Sequence, residues 1–285
     1  MSLRSRRLSH ILGNTCAWYG ANVLSTEKLR AWVEYVVFLS KNFGSPFDEG
    51  ACTPGNTKYV LFRNFNRTFE KNVSNIKSIE LRKLDQSIEN ESISASLYNK
   101  DGNGIFFAYD QLISYNYFCV EISRKLCEIL KPKYLTCYKW PLVFSPVFSF
   151  FGTRTSDFEI DEWSKFYNKK HVDICKRIVM WDRSKNELLK LGYLREIYPL
   201  NFINGAHLNH EVFPKITLKN WVEAADHRGT IAKATDELWL WSVPDEDLES
   251  ITKELALSDI LLCVSKDNPQ RYDYGVRPED QITLI

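Results

Sequence analysis

The sequence predicts an α+β protein: two fused ferredoxin-like lobes, antiparallel sheets with helices packed on one face, bridged by a helical segment. Three observations lead there. Strand and helix patterns follow one another over residues 16–152 in the order strand, helix, strands, helix, strand, the order of a ferredoxin-like layer. The end of the chain repeats a strand–helix–strand unit, "ELWLWSV", "PDEDLESITKELALSD" and "ILLCV". Hydrophobic residues make up 44% of the 285, and aromatics 14%, which is enough for a sizeable core. The expected division is a flexible basic arm over 1–15, an N-terminal α+β lobe over 16–152, a helical bridge over 153–192 and a C-terminal α+β lobe over 193–285. No Gly/Ser-rich linker separates these parts, so one body is expected.

The elements follow in order. "TCAWYGANV" is a strand by its apolar and aromatic content. Ser25 or Thr26 then caps a helix in which Leu29, Trp32, Val33, Val36, Val37 and Leu39 recur at helical spacing, with Gly44 as its stop. "DEGACTPGNT" is expected to be a loop. "KYVLFRNF" alternates as a strand, and "SIELRKL" is another. "SISASLY" and "IFFAYDQLI" flank "NKDGNG", whose Asn, Asp and Gly accept the positive φ of a hairpin turn. Its likeness to the start of a calcium loop fails, because no acidic residue closes the loop. In "YNYFCVEISRKLCEILKPK", Phe118, Ile122, Leu126, Ile129 and Leu130 share a helical face that Pro132 ends. "YLTCYKW" returns as a strand.

Further on, "PLVFSPVFSFFG" suits an edge strand or packed connector. The stretch 156–192 is helical in composition, with Gly192 closing it. "TLKNWVEAADHRG" gives a short helix ending at Gly229, and "ELWLWSV" a buried strand. The last helix starts at Pro244, where three carboxylates complement the dipole and Leu248, Ile251 and Leu255 form the stripe.

Lys+Arg number 37 and Asp+Glu 36, so neither nucleic acid nor an anionic membrane exerts a strong non-specific pull. No apolar run approaches a membrane span. The seven cysteines are scattered, odd in number and without a C-x-x-C pair, which predicts reduced, buried thiols and a cytoplasmic protein.

Chemistry-bearing constellations are few. His207 and His210 form H-x-x-H, a spacing that on a helix puts two rings on one side, where a metal could bind. No third ligand stands at a fixed distance, and capping or surface roles are the plainer expectation. His171 and Cys175, four apart, would form a Cys–His dyad or half a metal site. Phosphate-loop, dinucleotide, nucleophile-elbow and H-E-x-x-H motifs do not occur. Among the eight tryptophans, Trp32, Trp221, Trp239 and Trp241 fit core patterns. Trp18 with Tyr19, and Trp140, are the candidates for a wet aromatic patch that binds a partner.

"YLREIYPLNFINGAHLN" is the most distinctive stretch and holds no nucleophile. Tyr193, Leu194, Ile197, Tyr198, Leu200, Phe202 and Ile203 supply apolar surface, Pro199 stiffens the turn, and Asn201 and Asn204 bond local backbone. It is expected to be a buried connector. With "TLKNWVEAADHRGTIAKATDELWLWSV" and "ILLCV" after it, and "CAWYGANV" near the start, it resembles the immunity proteins of bacterial polymorphic toxins, the α+β kind associated with type VI secretion effectors. The resemblance implies a cytosolic, non-enzymatic protein that binds a cognate toxin and blocks it by steric occlusion. No cofactor is expected, and no toxin-contacting residue carries over. Two other readings stand beside it: an enzyme or metal-binding protein using His171/Cys175 or His207/His210, and a small-molecule-sensing or structural subunit.

Overall fold

The computed structural model describes residues 12–21, 23–55, 57–85, 90–99, 102–109, 112, 114–141, 188–258 and 260–261. The chain divides into two compact units, 1–137 and 138–285. Mixed α+β structure with antiparallel pairing runs through both.

In the first unit, β1 (Leu12–Tyr19) leads into α1 (Thr26–Asn42), where the Ser25 hydroxyl accepts the Lys28 N–H at 3.3 Å as N-cap. Then come β2 (Glu49–Thr53), β3 (Val60–Leu61), α2 (Phe62–Asn72), β4 (Ser78–Asp85), β5 (Asn90–Tyr98), β6 (Asn103–Tyr109), helix α3 over 115–130 and β7 (Tyr134–Pro141), whose residues 134–137 belong to this unit. Their sheet order is β7-β1-β6-β5-β4-β2-β3. The β7-β1-β6-β5 portion is the 4-1-3-2 order of a ferredoxin-like core, with α1 and α3 as its two crossovers. The segment β2–β3–α2–β4 is spliced between the first helix and the second core strand, and it widens the sheet.

Register explains why three helices share one face. Trp18 pairs with Gly104, Cys16 with Phe106, Phe106 with Ala95, Ala95 with Leu81 and Leu81 with Gly50. Strand side chains alternate, so this row points one way. Trp32 of α1 meets Trp18 edge-on at 6.2 Å, and Phe118 of α3 stacks on Phe106 at 5.7 Å. Phe65 of α2 lies over Gly50, where an added Cβ would come within 2.6 Å of its ring. Helix α3 contains a π turn, Phe118–Ile122, between its first turn and the regular stretch Ser123–Leu130; Lys131 ends it in the left-handed region.

Two expectations in this unit are corrected. "DEGACTPGNT" is not all loop: Glu49–Thr53 is a strand. Its Gly, Ala and Cys look weak by propensity, yet small residues there make room for Phe65 above Gly50. "KYVLFRNF" is a strand only at Val60–Leu61. From Phe62 the chain is helical, because Phe62, Phe65 and Phe69 recur at three and four residues and stack at 5.7 and 5.8 Å.

In the second unit β8 (Leu200–Asn204), α4 (Gly205–Asn209), the hairpin β9 (Glu211–Phe213) and β10 (Ile216–Thr217), α5 (Leu218–Glu223), β11 (Thr230–Lys233), β12 (Leu238–Ser242) and α6 (Leu248–Ala256) follow one another. Strands β11, β12 and β8 pair antiparallel in that order. On α6, Leu248, Ile251 and Leu255 are buried as the stripe predicts. Leu261, from the expected closing strand, forms a parallel bridge with Leu194. The expected bridge 153–192 lies outside the described residues except for 188–192, where Gly192 sits at φ +84 with no room for a Cβ against the Ala206 carbonyl.

Candidate functional site

The distinctive connector is an internal fastening. Leu194, Arg195, Glu196, Ile197 and Tyr198 are all fully buried. Tyr198 stacks on Tyr138 with ring centroids 4.8 Å apart. Leu194 N–H donates to the Ile260 carbonyl, and Val243 N–H to the Pro199 carbonyl, so both flanks of the segment are tied to the last third of the chain. That Arg195 and Glu196 are buried beside the apolar residues was not legible in the sequence.

His207 lies at the third position of α4, whose N-cap is Asn204. The Asn204 side chain accepts the backbone N–H groups of Ala206 and His207 at 2.8 and 3.3 Å. His207 Nδ1 lies 3.3 Å from Asn204 N and 2.9 Å from Asn204 Oδ1, which closes a capping box. Burial holds this imidazole's pKa down to about 3, so it is neutral. His210 instead bonds the Leu191 carbonyl through Nδ1 at 2.8 Å and meets the Tyr193 ring edge-on at 4.9 Å. A five-residue helix gives the pair no shared outward face, and each ring already serves the backbone. Among the described residues no group of three or more His, Cys, Asp or Glu is placed to hold a metal ion. His171 and Cys175 lie outside the described residues.

The aromatic candidates need correction. Trp18 and Tyr19 are both fully buried, because β1 is an interior strand: Trp18 packs against Trp32, and Tyr19 stacks on Tyr134 at 5.8 Å. Neither forms a wet patch. The Trp140 side chain lies outside the described residues. Trp32, Trp221 and Trp241 are core, as predicted, while Trp239 is half-buried under Lys233, whose Nζ stands 3.8 Å from the ring centroid. The five described cysteines, Cys16, Cys52, Cys119, Cys127 and Cys137, are buried thiols outside any disulfide.

A polar and aromatic array that sequence reasoning missed lies on the sheet face opposite the helices. Glu49 and Arg82 face each other across β2 and β4, and the guanidinium gives Glu49 Oε2 two hydrogen bonds of 2.9 and 2.8 Å. The Tyr59 ring lies under the same guanidinium, 3.5 Å from Cζ to the centroid. Tyr59 then donates its hydroxyl to Glu80 Oε2 at 2.7 Å, and Tyr98 donates to Glu80 Oε1 at 3.2 Å. Glu80 and Arg82 are two apart on β4 and therefore share a face. Burial and the Glu80 charge push the Tyr98 hydroxyl's pKa up, which keeps it a donor. Arg82 and Glu49 keep 25% and 28% of their side-chain surface in solvent, enough to touch a partner. The period-2 pattern of "SIELRKL" put Glu80 and Arg82 on one face; nothing local placed Tyr59 and Tyr98 beside them.

No family model matches the chain, and no curated protein sequence matches it. Among solved structures, a T6SS protein of Pseudomonas aeruginosa overlaps it with TM-score 0.48 at 7% identity, over 86% of this chain and 72% of that one. Among the described residues no helix is long and apolar enough to cross a membrane.

Proposed function

We propose that this chain is an immunity-type inhibitor, which binds a cognate toxin or effector domain in the cytoplasm and blocks it by covering its working surface, without chemistry of its own. The observation that carries the reading is the array of Tyr59, Arg82, Glu49, Glu80 and Tyr98. Tyrosine and arginine are the residues that anchor protein interfaces. Here hydrogen bonds and ring stacking fix their rotamers before any partner arrives, so less side-chain entropy is lost on binding. The resemblance of the connector and closing segments to immunity proteins of type VI secretion effectors supports the same reading. The alternative centred on His207 and His210 is disfavoured by the backbone bonds both rings make.

The test is co-expression with the product of the gene upstream of this chain's own, as the candidate effector. Protection of the host cell and a co-purifying complex are expected. Arg82→Glu should weaken that complex by about 2 kcal/mol, roughly thirtyfold in Kd. Absence of both complex and protection overturns the proposal.

A further inference from the structure

Helix α2 breaks several local rules, and it does so toward solvent. Leu61 stands at its N-cap without a side-chain hydrogen bond, although Ser, Thr, Asp or Asn is favoured there. Its first turn holds no acidic residue and does hold Arg63, a cation at the positive end of the helix dipole. Arg63, Arg67 and Lys71 follow one another at four-residue steps, a like-charge arrangement that opposes helix formation. All three are exposed, and none forms an ion pair among the described residues. Glu70 shares their side of the helix, but its carboxylate is taken by Arg30 at 3.2 and 2.8 Å. From below, the buried Phe65 and Phe69 hold the helix down.

Local choices that disagree with the fold mark places kept for another purpose. We infer that the outward stripe Arg63, Arg67 and Lys71 is a docking surface for an acidic protein segment. Four residues of helix advance about 6 Å, so the three cations are spaced about 6 Å apart along the axis. Carboxylates on alternate residues of an extended strand repeat every 6–7 Å or so, and those four apart on a helix about every 6 Å. Such a segment meets the stripe charge for charge. The proposed function names a protein partner, so an acidic segment of that protein is the occupant, and nucleic acid, which offers a comparable row of anions, is separated from it by the test.

This surface deepens the inhibitor reading by naming the partner's chemistry, and its test does not depend on the effector. The full chain is titrated at low ionic strength against a fluorescein-labelled dodecaglutamate peptide and, separately, a single-stranded DNA dodecamer. The peptide is expected to bind, and the double variant Arg63→Glu/Arg67→Glu to weaken it at least about tenfold. The variant's thermal midpoint is expected to hold or rise, since two carboxylates then complement the helix N-terminus. A peptide that does not bind, equal binding by both proteins, or tighter DNA binding lost in the same variant overturns the inference. Failure of the effector to bind would overturn only the proposed function.

Discussion

Asn201 closes the backbone of Tyr198 at both ends: its Nδ2 donates to the Tyr198 carbonyl at 2.6 Å, and its Oδ1 accepts the Tyr198 N–H at 3.1 Å. Both residues are fully buried, so the amide replaces water for two backbone groups at once. Asn201→Ala should cost about 2–3 kcal/mol, read as a lower urea midpoint at an unchanged slope.

His207 makes stability depend on pH. The folded imidazole titrates at about 3 against 6.5 when free, so the unfolded chain takes up a proton that the folded chain refuses. This contribution to stability is complete above pH 6.5 and is lost as pH falls from there toward 3. Between pH 7 and 5 the wild type should lose about 2 kcal/mol from this group, and His207→Gln should lack that component. Urea unfolding of both proteins at the two pH values measures the difference.

Gly50 and Phe65 should behave as a pair. An added Cβ at Gly50 would lie 2.6 Å from the Phe65 ring and 2.9 Å from Leu81. Gly50→Val is expected to destabilise by about 1–3 kcal/mol. Combined with Phe65→Leu it should cost less than the sum of the single changes by at least about 0.5 kcal/mol, a coupling that a double-mutant cycle reads directly.

Arg228 ties three elements of the second unit. It donates to the Trp221 carbonyl at 2.9 Å and to Glu254 at 3.0 Å, lies 4.2 Å over the Trp221 ring, and its own carbonyl accepts Trp241 Nε1 at 2.9 Å. Lysine keeps the charge but not the planar fork. Arg228→Lys should therefore lower stability by about 1–2 kcal/mol, seen in thermal melts followed by tryptophan fluorescence.

The described cysteines should resist alkylation. All five are buried, which denies the reagent access; burial also pushes the thiols of Cys16 and Cys127 up, and although hydrogen bonds from neighbouring thiols and Ser123 hold Cys137 down, it is fully buried too. Iodoacetamide at neutral pH should label Cys16, Cys52, Cys119, Cys127 and Cys137 only after denaturant is added, which peptide mass spectrometry reports.

The α+β class and most elements were legible because their periods are strong. The faces of α1 and α6, the hairpin turn before Gly102 and the connector's burial follow from side-chain spacing alone. Strand β2 was hidden because its residues are small for the sake of Phe65, a contact with a helix further along the chain. The start of α2 was hidden because Val60, Phe62 and Phe65 fit alternation and helical spacing about equally well in a short window. The misplacement of Trp18 and Tyr19 has the same root: an aromatic pair near the start of a chain carries no local mark of lying in an interior strand. The array around Glu80 joins residues from 49 to 98 and exists only once β2, β4 and β5 are in register.

Strand β1 finds its antiparallel neighbour β6 only after some ninety residues of intervening chain, Gly13 matching Tyr109. During synthesis Trp18 and its flanking apolar residues therefore emerge long before their cover exists. Contacts this distant in sequence slow folding and leave sticky surface open in the meantime. Yield in a recombinant host should accordingly respond to growth temperature and to holdase chaperones more than the finished protein's thermal midpoint would suggest.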